Sequence, residues 1–402
     1  MSATEATPRL RFREDGTFKV LQLADIQEKP SVRPDTIKLL EAALNASDPD
    51  LVILTGDQIR GYDRTFDKAA VRGHLDETVS HTIDRFMAPI VRRGLPFVVT
   101  FGNHDRECGL TNETQEAIYR KLPGCLNGTG AVRQLAPGTL ALDVLPSEGT
   151  GLSGHAALVK GAPRLLVLVA DSGAGSITGG FAPFDPQVTA WMTSQVDDAR
   201  KRAGRAVPTV VFQHIPPTQV YECLRPATSR ERGWLGFRSH KAAAPYVPLE
   251  SARISGDLGE TVCSPDTDSG EMAALEATGD VFAVYFGHDH KNTLVSRWHG
   301  IDLGYTPCCG FNSYGPGTDR AARELTFHEV DPAAYETRLL RYRDLVSATT
   351  ENPFVDMVTE VMPTTPDQLH HDFMQALGLL VFAGTLTAGI VVAISSSLSD
   401  DE

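Results

Sequence analysis

An α/β fold is predicted by two features of the residue order. Apolar, β-branched runs at 20–23, 51–54, 96–101, 210–212 and 281–286 each lead into a polar motif, and helix-period segments separate the first three. Runs of this kind read as buried strands of a layered sheet, and alternation of strand and helix places helices over that sheet. The run at 20–23 leads into Ala24-Asp25-Ile26-Gln27. In residues 35–46, Ile37, Leu40 and Leu44 recur at three- and four-residue steps, a helical period for which Asp35 is a suitable cap. The run at 51–54 ends in Thr55-Gly56-Asp57, and 67–93 reads as one helix closed by Gly94. The run at 96–101 ends in Gly102-Asn103-His104-Asp105. Residues 165–170 give a further strand, 187–202 a further helix, and 210–212 precedes Gln213-His214. Residues 222–271 show no clear period and many Gly, Pro, Ser and charged positions, the composition of a lid-like insertion. The run at 281–286 ends in Gly287-His288-Asp289-His290.

Residues from Asp25 to His290 must meet if these motifs form one site, so 1–345 is expected to be a single domain. The net charge of −14, with no long Lys/Arg stripe, excludes nucleic acid as a bulk partner. The six cysteines lack CxxC spacing, which points to reduced thiols in a cytosolic compartment. No basic region followed by an apolar core opens the chain, so secretion is not expected. Residues 346–372, with Pro353, Pro363 and Pro366, read as a linker. Residues 373–397 carry no charge, and 376–394 is almost wholly apolar. A membrane-spanning helix or tail anchor is expected there, a buried helix being the alternative, although Gly378, Gly384 and Gly389 weaken either. The catalytic body would then be cytoplasmic and tethered to a membrane at its C-terminal side.

The motifs supply hard or borderline metal ligands. Asp25 and Asp57 offer carboxylates, Asn103 an amide oxygen, and His214, His288 and His290 imidazoles. That set suits Zn, Mn or Fe rather than a thiolate site. Asp57, after the compliant Gly56, can bridge two cations with one oxygen to each; a plain turn or cap Asp is the bland reading. His104, beside the ligand Asn103, can stand over a substrate without touching a metal. Two His at i and i+2, His288 and His290, can face adjacent ions. Together the motifs have the pattern of a two-metal phosphoesterase.

This set resembles the calcineurin-like metallophosphoesterase superfamily, and more closely its purple-acid-phosphatase-like branch. The closer likeness rests on Leu21-Gln22-Leu23-Ala24-Asp25, Thr100-Phe101-Gly102-Asn103-His104-Asp105-Arg106-Glu107 and Val211-Phe212-Gln213-His214-Ile215-Pro216. It continues through Cys263-Ser264-Pro265 with Ser269-Gly270 and Cys309-Gly310-Phe311 with Ser313-Tyr314-Gly315, and covers roughly residues 17–330. The resemblance implies a four-layer α/β/β/α sandwich with a dinuclear site at one sheet edge. It implies a first ion on Asp25, the bridging Asp57 and His290, and a second on Asp57, Asn103, His214 and His288. It makes His104 the acid near the leaving group, oriented by Asp105.

The chain departs from the family in having Gln27 where most members have His, and Arg60 where iron-containing purple enzymes have Tyr. Gln27 either ligates through its amide oxygen or leaves the position to water; both favour harder ions such as Mn or Mg. Arg60 either binds a substrate phosphate or is an ordinary loop arginine. The expected cofactor is a pair of divalent or trivalent ions, Mn, Fe, Zn or Mg. The expected reaction is hydrolysis of phosphate esters by a hydroxide bridging the two ions. A phosphodiesterase or nucleotide hydrolase would use the same residues, and a non-catalytic, membrane-tethered metal-binding protein is the rival outside enzymes.

Overall fold

A computed structural model describes residues 10–148, 161–175, 180–228 and 246–346. The linker expected from 346 and the hydrophobic segment 373–397 therefore fall outside the described residues, apart from Val346. Among the described residues, no helix is long and apolar enough to cross a membrane.

The chain begins with β1 (Thr17–Leu23), α1 (Pro34–Ser47), β2 (Leu51–Thr55), α2 (Arg64–Val71), α3 (Leu75–Val91) and β3 (Phe97–Thr100). It continues with α4 (Asn112–Tyr119), β4 (Val132–Ala136), β5 (Thr139–Val144), β6 (Leu165–Val169), α5 (Pro186–Ala203) and β7 (Thr209–Phe212). The insertion holds β8 (Leu224–Pro226), β9 (Tyr246–Pro248) and β10 (Arg253–Ser255), and α6 (Glu271–Thr278) follows. The rest is β11 (Val281–Phe286), β12 (Val295–Trp298), β13 (Ile301–Tyr305), β14 (Ala321–His328), β15 (Glu336–Arg341) and α7 (Tyr342–Leu345).

Among the described residues two large sheets result, a five-stranded one ordered β15-β14-β1-β2-β3 and an eight-stranded one ordered β10-β12-β13-β11-β7-β6-β5-β4. Side-chain alternation along the strands assigns the layers. Phe18, Val20, Leu51, Ile53 and Val98 of the first sheet share a core with Val167, Val169, Val210, Phe212 and Tyr285 of the second. Their sequence neighbours point the other way. Leu21, Leu23, Val52, Leu54 and Val99 pack with α1 and α3, through Leu40, Leu44, Ile83 and Met87. Leu166, Leu168, Val211 and Val284 pack with Met192 and Val196 of α5 and Met272 of α6. Helix, sheet, sheet and helix thus form the four expected layers. Strands buried on both faces need no alternation of apolar and polar residues, which is why their sequences are continuously hydrophobic.

Two local expectations are corrected. The single helix over 67–93 is broken at Gly73, whose φ of +77° ends α2, and α3 starts afresh from His74. Asp35 does not cap α1; Arg33 holds the cap position, with Pro34 opening the helix. The buried Asp35 carboxylate instead accepts from Tyr342 Oη at 2.7 Å, fastening α7 to α1. All six cysteines are free thiols, as their spacing suggests.

Because Met192 is fully buried in the outer core, Met192→Ala should cost ~2–5 kcal/mol in denaturant unfolding. Metal stoichiometry should not change, since Met192 lies between α5 and its sheet rather than at the strand ends.

Candidate metal centre

The motifs leave the C-terminal ends of β1, β2 and β3 in one sheet and of β7 and β11 in the other, and the two sets converge at one edge of the sandwich. Convergence forces the backbone into unusual shapes. Asp25 (φ 52°), Gln27 (φ 39°), Asp57 (φ 53°) and His288 (φ 73°) all adopt left-handed conformations. Such strain persists only where surrounding contacts over-determine it. Close approach explains one glycine in particular: a Cβ on Gly102 would lie 2.1 Å from Asp57 Oδ1.

Asp105 organises this edge. Its Oδ2 accepts from the Asp57 and Gly102 amides, each at 2.8 Å, and its Oδ1 from Gln58 (2.8 Å) and Ile59 (3.0 Å). The expectation that Asp105 orients His104 is therefore corrected: both carboxylate oxygens are committed to backbone donors. His104 Nδ1 lies 2.7 Å from Glu107 Oε2 instead, within one 3₁₀ turn. The His104 backbone amide donates to Asp57 Oδ1 at 2.8 Å. Burial lowers the pKa of the His104 imidazole, but the Asp57 and Glu107 charges outweigh it and the net shift is upward. His104 is thus suited to carry a proton near neutral pH.

The predicted ligands are buried and crowd together. Asp25, Asp57 and His214 each place a ligand atom within 4.8 Å of the other two. His214 Nδ1 lies 2.9 Å from the Thr55 carbonyl and must donate to it, which turns Nε2 toward the other ligands. Around that Nε2 stand Asn103 Oδ1 (3.2 Å), His288 Nδ1 (3.2 Å) and Asp57 Oδ2 (3.4 Å). His290 Nδ1 lies 2.8 Å from the Tyr314 carbonyl, and its Nε2 stands 3.4 Å from Asp25 Oδ1. Asp25 Oδ1 and His288 Nε2 are buried without a hydrogen-bond partner. Converging acceptors, some unpartnered and shielded from water, repel one another unless a cation or proton lies between them. These residues fit two metal ions: Asp25, Asp57 and His290 would hold one, and Asp57, Asn103, His214 and His288 the other.

Without a metal the pocket answers its own charge with protons. Burial lowers the His214 pKa, but Asp57 and Asp25 more than reverse this and bring it up to about 9. Burial and the neighbouring His214 charge hold His288 well below the usual imidazole range.

Gln27 reaches the centre, its Nε2 donating to Asp57 Oδ2 at 3.0 Å. Its Oε1 accepts from the Tyr62 hydroxyl at 3.2 Å. Arg60 Nη1 donates to the Asn312 carbonyl at 2.6 Å, and its guanidinium lies 5.0 Å from the centre of the Tyr62 ring. Those contacts draw Arg60 toward the 312 loop rather than onto the ligands.

Three residues at the site escaped sequence reasoning. Glu107 sits three residues after His104, a spacing that becomes contact only within a 3₁₀ turn. Tyr62, five residues after Asp57, makes a T-shaped ring contact with His104, the centroids 4.8 Å apart. Phe181 stands edge-on to His288 at 4.4 Å, and no local pattern marks it. The described end of the insertion is fastened to the metal loop: Cys263 N donates to Asp289 at 3.2 Å, and Gly259 N and Glu260 N donate to Asn292 Oδ1 at 2.8 and 2.9 Å.

A strand-end centre of this composition, between two sheets flanked by helices, defines a metal-dependent phosphoesterase fold. The chain belongs to the calcineurin-like phosphoesterase family, whose model matches residues 18–292. A relative from Arabidopsis thaliana, named probable inactive purple acid phosphatase 14, is 26% identical over 342 residues, covering 76% of this chain and 74% of the relative. Among solved structures, a dimetal phosphatase from Danio rerio aligns with a TM-score of 0.44 at 12% identity, covering 81% of this chain and 99% of that one. A purple acid phosphatase from yellow lupin (Lupinus luteus) seeds aligns with a TM-score of 0.41 at 13% identity, covering 88% of this chain and 57% of that one.

Asp105→Ala would strip four backbone donors of their acceptor and should destabilise the protein by at least about 3 kcal/mol in denaturant melts. Metal affinity should fall with it. A second expectation concerns protons. At pH 7 the metal-free centre carries a proton on His214, so loading a cation should release it. Calorimetry in buffers of different ionisation enthalpy should show that release, and apparent affinity should climb with pH through about 9 and level off above it, where His214 is neutral.

Proposed function

We propose that this chain hydrolyses phosphate esters at a pair of metal ions held by Asp25, Asp57, Asn103, His214, His288 and His290. The observation that carries the reading is the convergence of acceptors on His214 Nε2, at 3.2 to 3.4 Å, with Asp25 Oδ1 facing His290 Nε2 at 3.4 Å and His288 Nε2 buried without a hydrogen-bond partner. Two cations bound there would supply charge neutralisation at the phosphoryl oxygens and a water whose pKa is brought toward ~7. The chain's own residues supply the rest. Asp57 is fixed by Asp105 and by the His104 amide, so its carboxylate needs no reorganisation on binding. His104, with Glu107 behind it, can give its proton to the departing alkoxide. Phe181 and Tyr62 offer aromatic surface beside His288 and His104 respectively.

The name of the Arabidopsis relative raises a non-catalytic reading, and Gln27 is the residue here that favours it. The His104–Glu107 pair supports catalysis, since metal binding alone has no use for a proton donor outside the ligand set. Membrane tethering rests on the apolar sequence of 373–397, and cytoplasmic placement goes with it as part of the same proposal.

The test is hydrolysis of p-nitrophenyl phosphate and its bis-ester by the full chain, stripped of metal and refilled with Mn, Zn, Fe or Mg. Metal-dependent turnover that disappears in Asp57→Ala is expected, and the preferred ester separates phosphatase from diesterase. Failure of every metal to give turnover in a folded protein would refute the proposal. His104→Ala should lose ~10²-fold or more in kcat on alkyl phosphates and much less on p-nitrophenyl phosphate, whose leaving group needs little protonation.

A further inference from the structure

Resting on the dinuclear reading above, we propose that Gln27 is not a metal ligand but a hydrogen-bond donor to the bridging Asp57, locked in that role by Tyr62, so that the two metal positions are unequal. A carboxylate oxygen can only accept, so the amide facing Asp57 Oδ2 at 3.0 Å must present its nitrogen. The amide oxygen then points away from the ligands, toward the Tyr62 hydroxyl at 3.2 Å. Three constraints hold this arrangement. Gln27 is only 1% exposed, its backbone is fixed at φ 39°, and its backbone N–H donates to the Asp57 carbonyl at 2.8 Å. Tyr62 is itself in contact with the Arg60 guanidinium, 5.0 Å from its ring centre, and with the His104 ring, at 4.8 Å between centroids.

The position served by Asp25, Asp57 and His290 therefore has three protein ligands, mostly oxygen. The position served by Asp57, Asn103, His214 and His288 has four, two of them imidazole. Ligand count and type make the first position weaker and exchangeable and suit it to harder ions such as Mn or Mg. They make the second position the tight one.

Metal-stripped full-length protein titrated with Mn(II), with free Mn(II) followed by electron paramagnetic resonance, tests this apart from activity. Two classes of site are expected in the wild type. Gln27→Ala removes only a donor to the shared Asp57, so it should weaken both classes together and leave the ratio of their affinities within about threefold, whereas Gln27→His should tighten the weaker class alone about tenfold or more by adding an imidazole. Tyr62→Phe should free the amide oxygen to turn inward and tighten the weaker class several-fold. A loss of about tenfold or more confined to the weaker class in Gln27→Ala would make Gln27 a ligand, and an unchanged or weakened class in Tyr62→Phe would remove Tyr62 from the account. Either result leaves the dinuclear reading standing. Absence of a second class in both the wild type and Gln27→His would instead overturn the dinuclear reading itself.

Discussion

Asp25, Asp57, Asn103, His214 and His288 bring lone pairs to one buried spot, and everything around the site serves to hold them there against mutual repulsion. Asp57 Oδ1 is pinned by the His104 amide, and its Oδ2 faces both His214 and Gln27. Asp25 Oδ2 accepts from the His288 amide, which sets the β1 loop against the β11 loop across the two sheets. Asp105 gathers four amides from the β2 and β3 loops onto one carboxylate. Removed from water, such a cluster is stable only with compensating positive charge, and the protein's own answer is a proton on His214. Two cations are the more complete answer.

The cost of that arrangement appears in the backbone. Asp25, Gln27, Asp57 and His288 hold left-handed conformations, which non-glycine residues avoid. What over-determines them is the three-part core. The strands that carry these residues are buried on both faces, against helices outside and the opposing sheet inside. Rigid strand ends allow loops of a few residues to be bent into shapes a mobile segment could not keep. The described part of the insertion adds to this rigidity through Cys263 and Glu260, which bind the loop after His288.

Much of this was legible in the sequence, for a physical reason. Metal ligands come from a short list of side chains, and strands buried on both faces announce themselves as continuous apolar runs, so Asp25, Asp57, Asn103, His214, His288 and His290 could be placed at strand ends before any coordinates were known. The four layers followed from the family resemblance rather than from periodicity, and the core alternation bears them out. What escaped were relations that depend on backbone course. Asp105 next to His104 reads as a side-chain pair, yet in three dimensions its partners are amides 46 to 48 positions upstream and one three positions away. Tyr62 lacks any pattern in sequence because its role is fixed by the turn after β2. Gln27 was recognisable as a departure, but which of its amide atoms faces Asp57 is decided only by the acceptor it meets.

The central claim is that this crowd of acceptors is a two-cation site, and anomalous diffraction from crystals of the full chain grown with Mn(II) tests it most directly. Two peaks are predicted, one among Asp25, Asp57 and His290 and the other among Asp57, Asn103, His214 and His288. No peak at these residues, or a single one with Asp57 bound by one oxygen only, would contradict it.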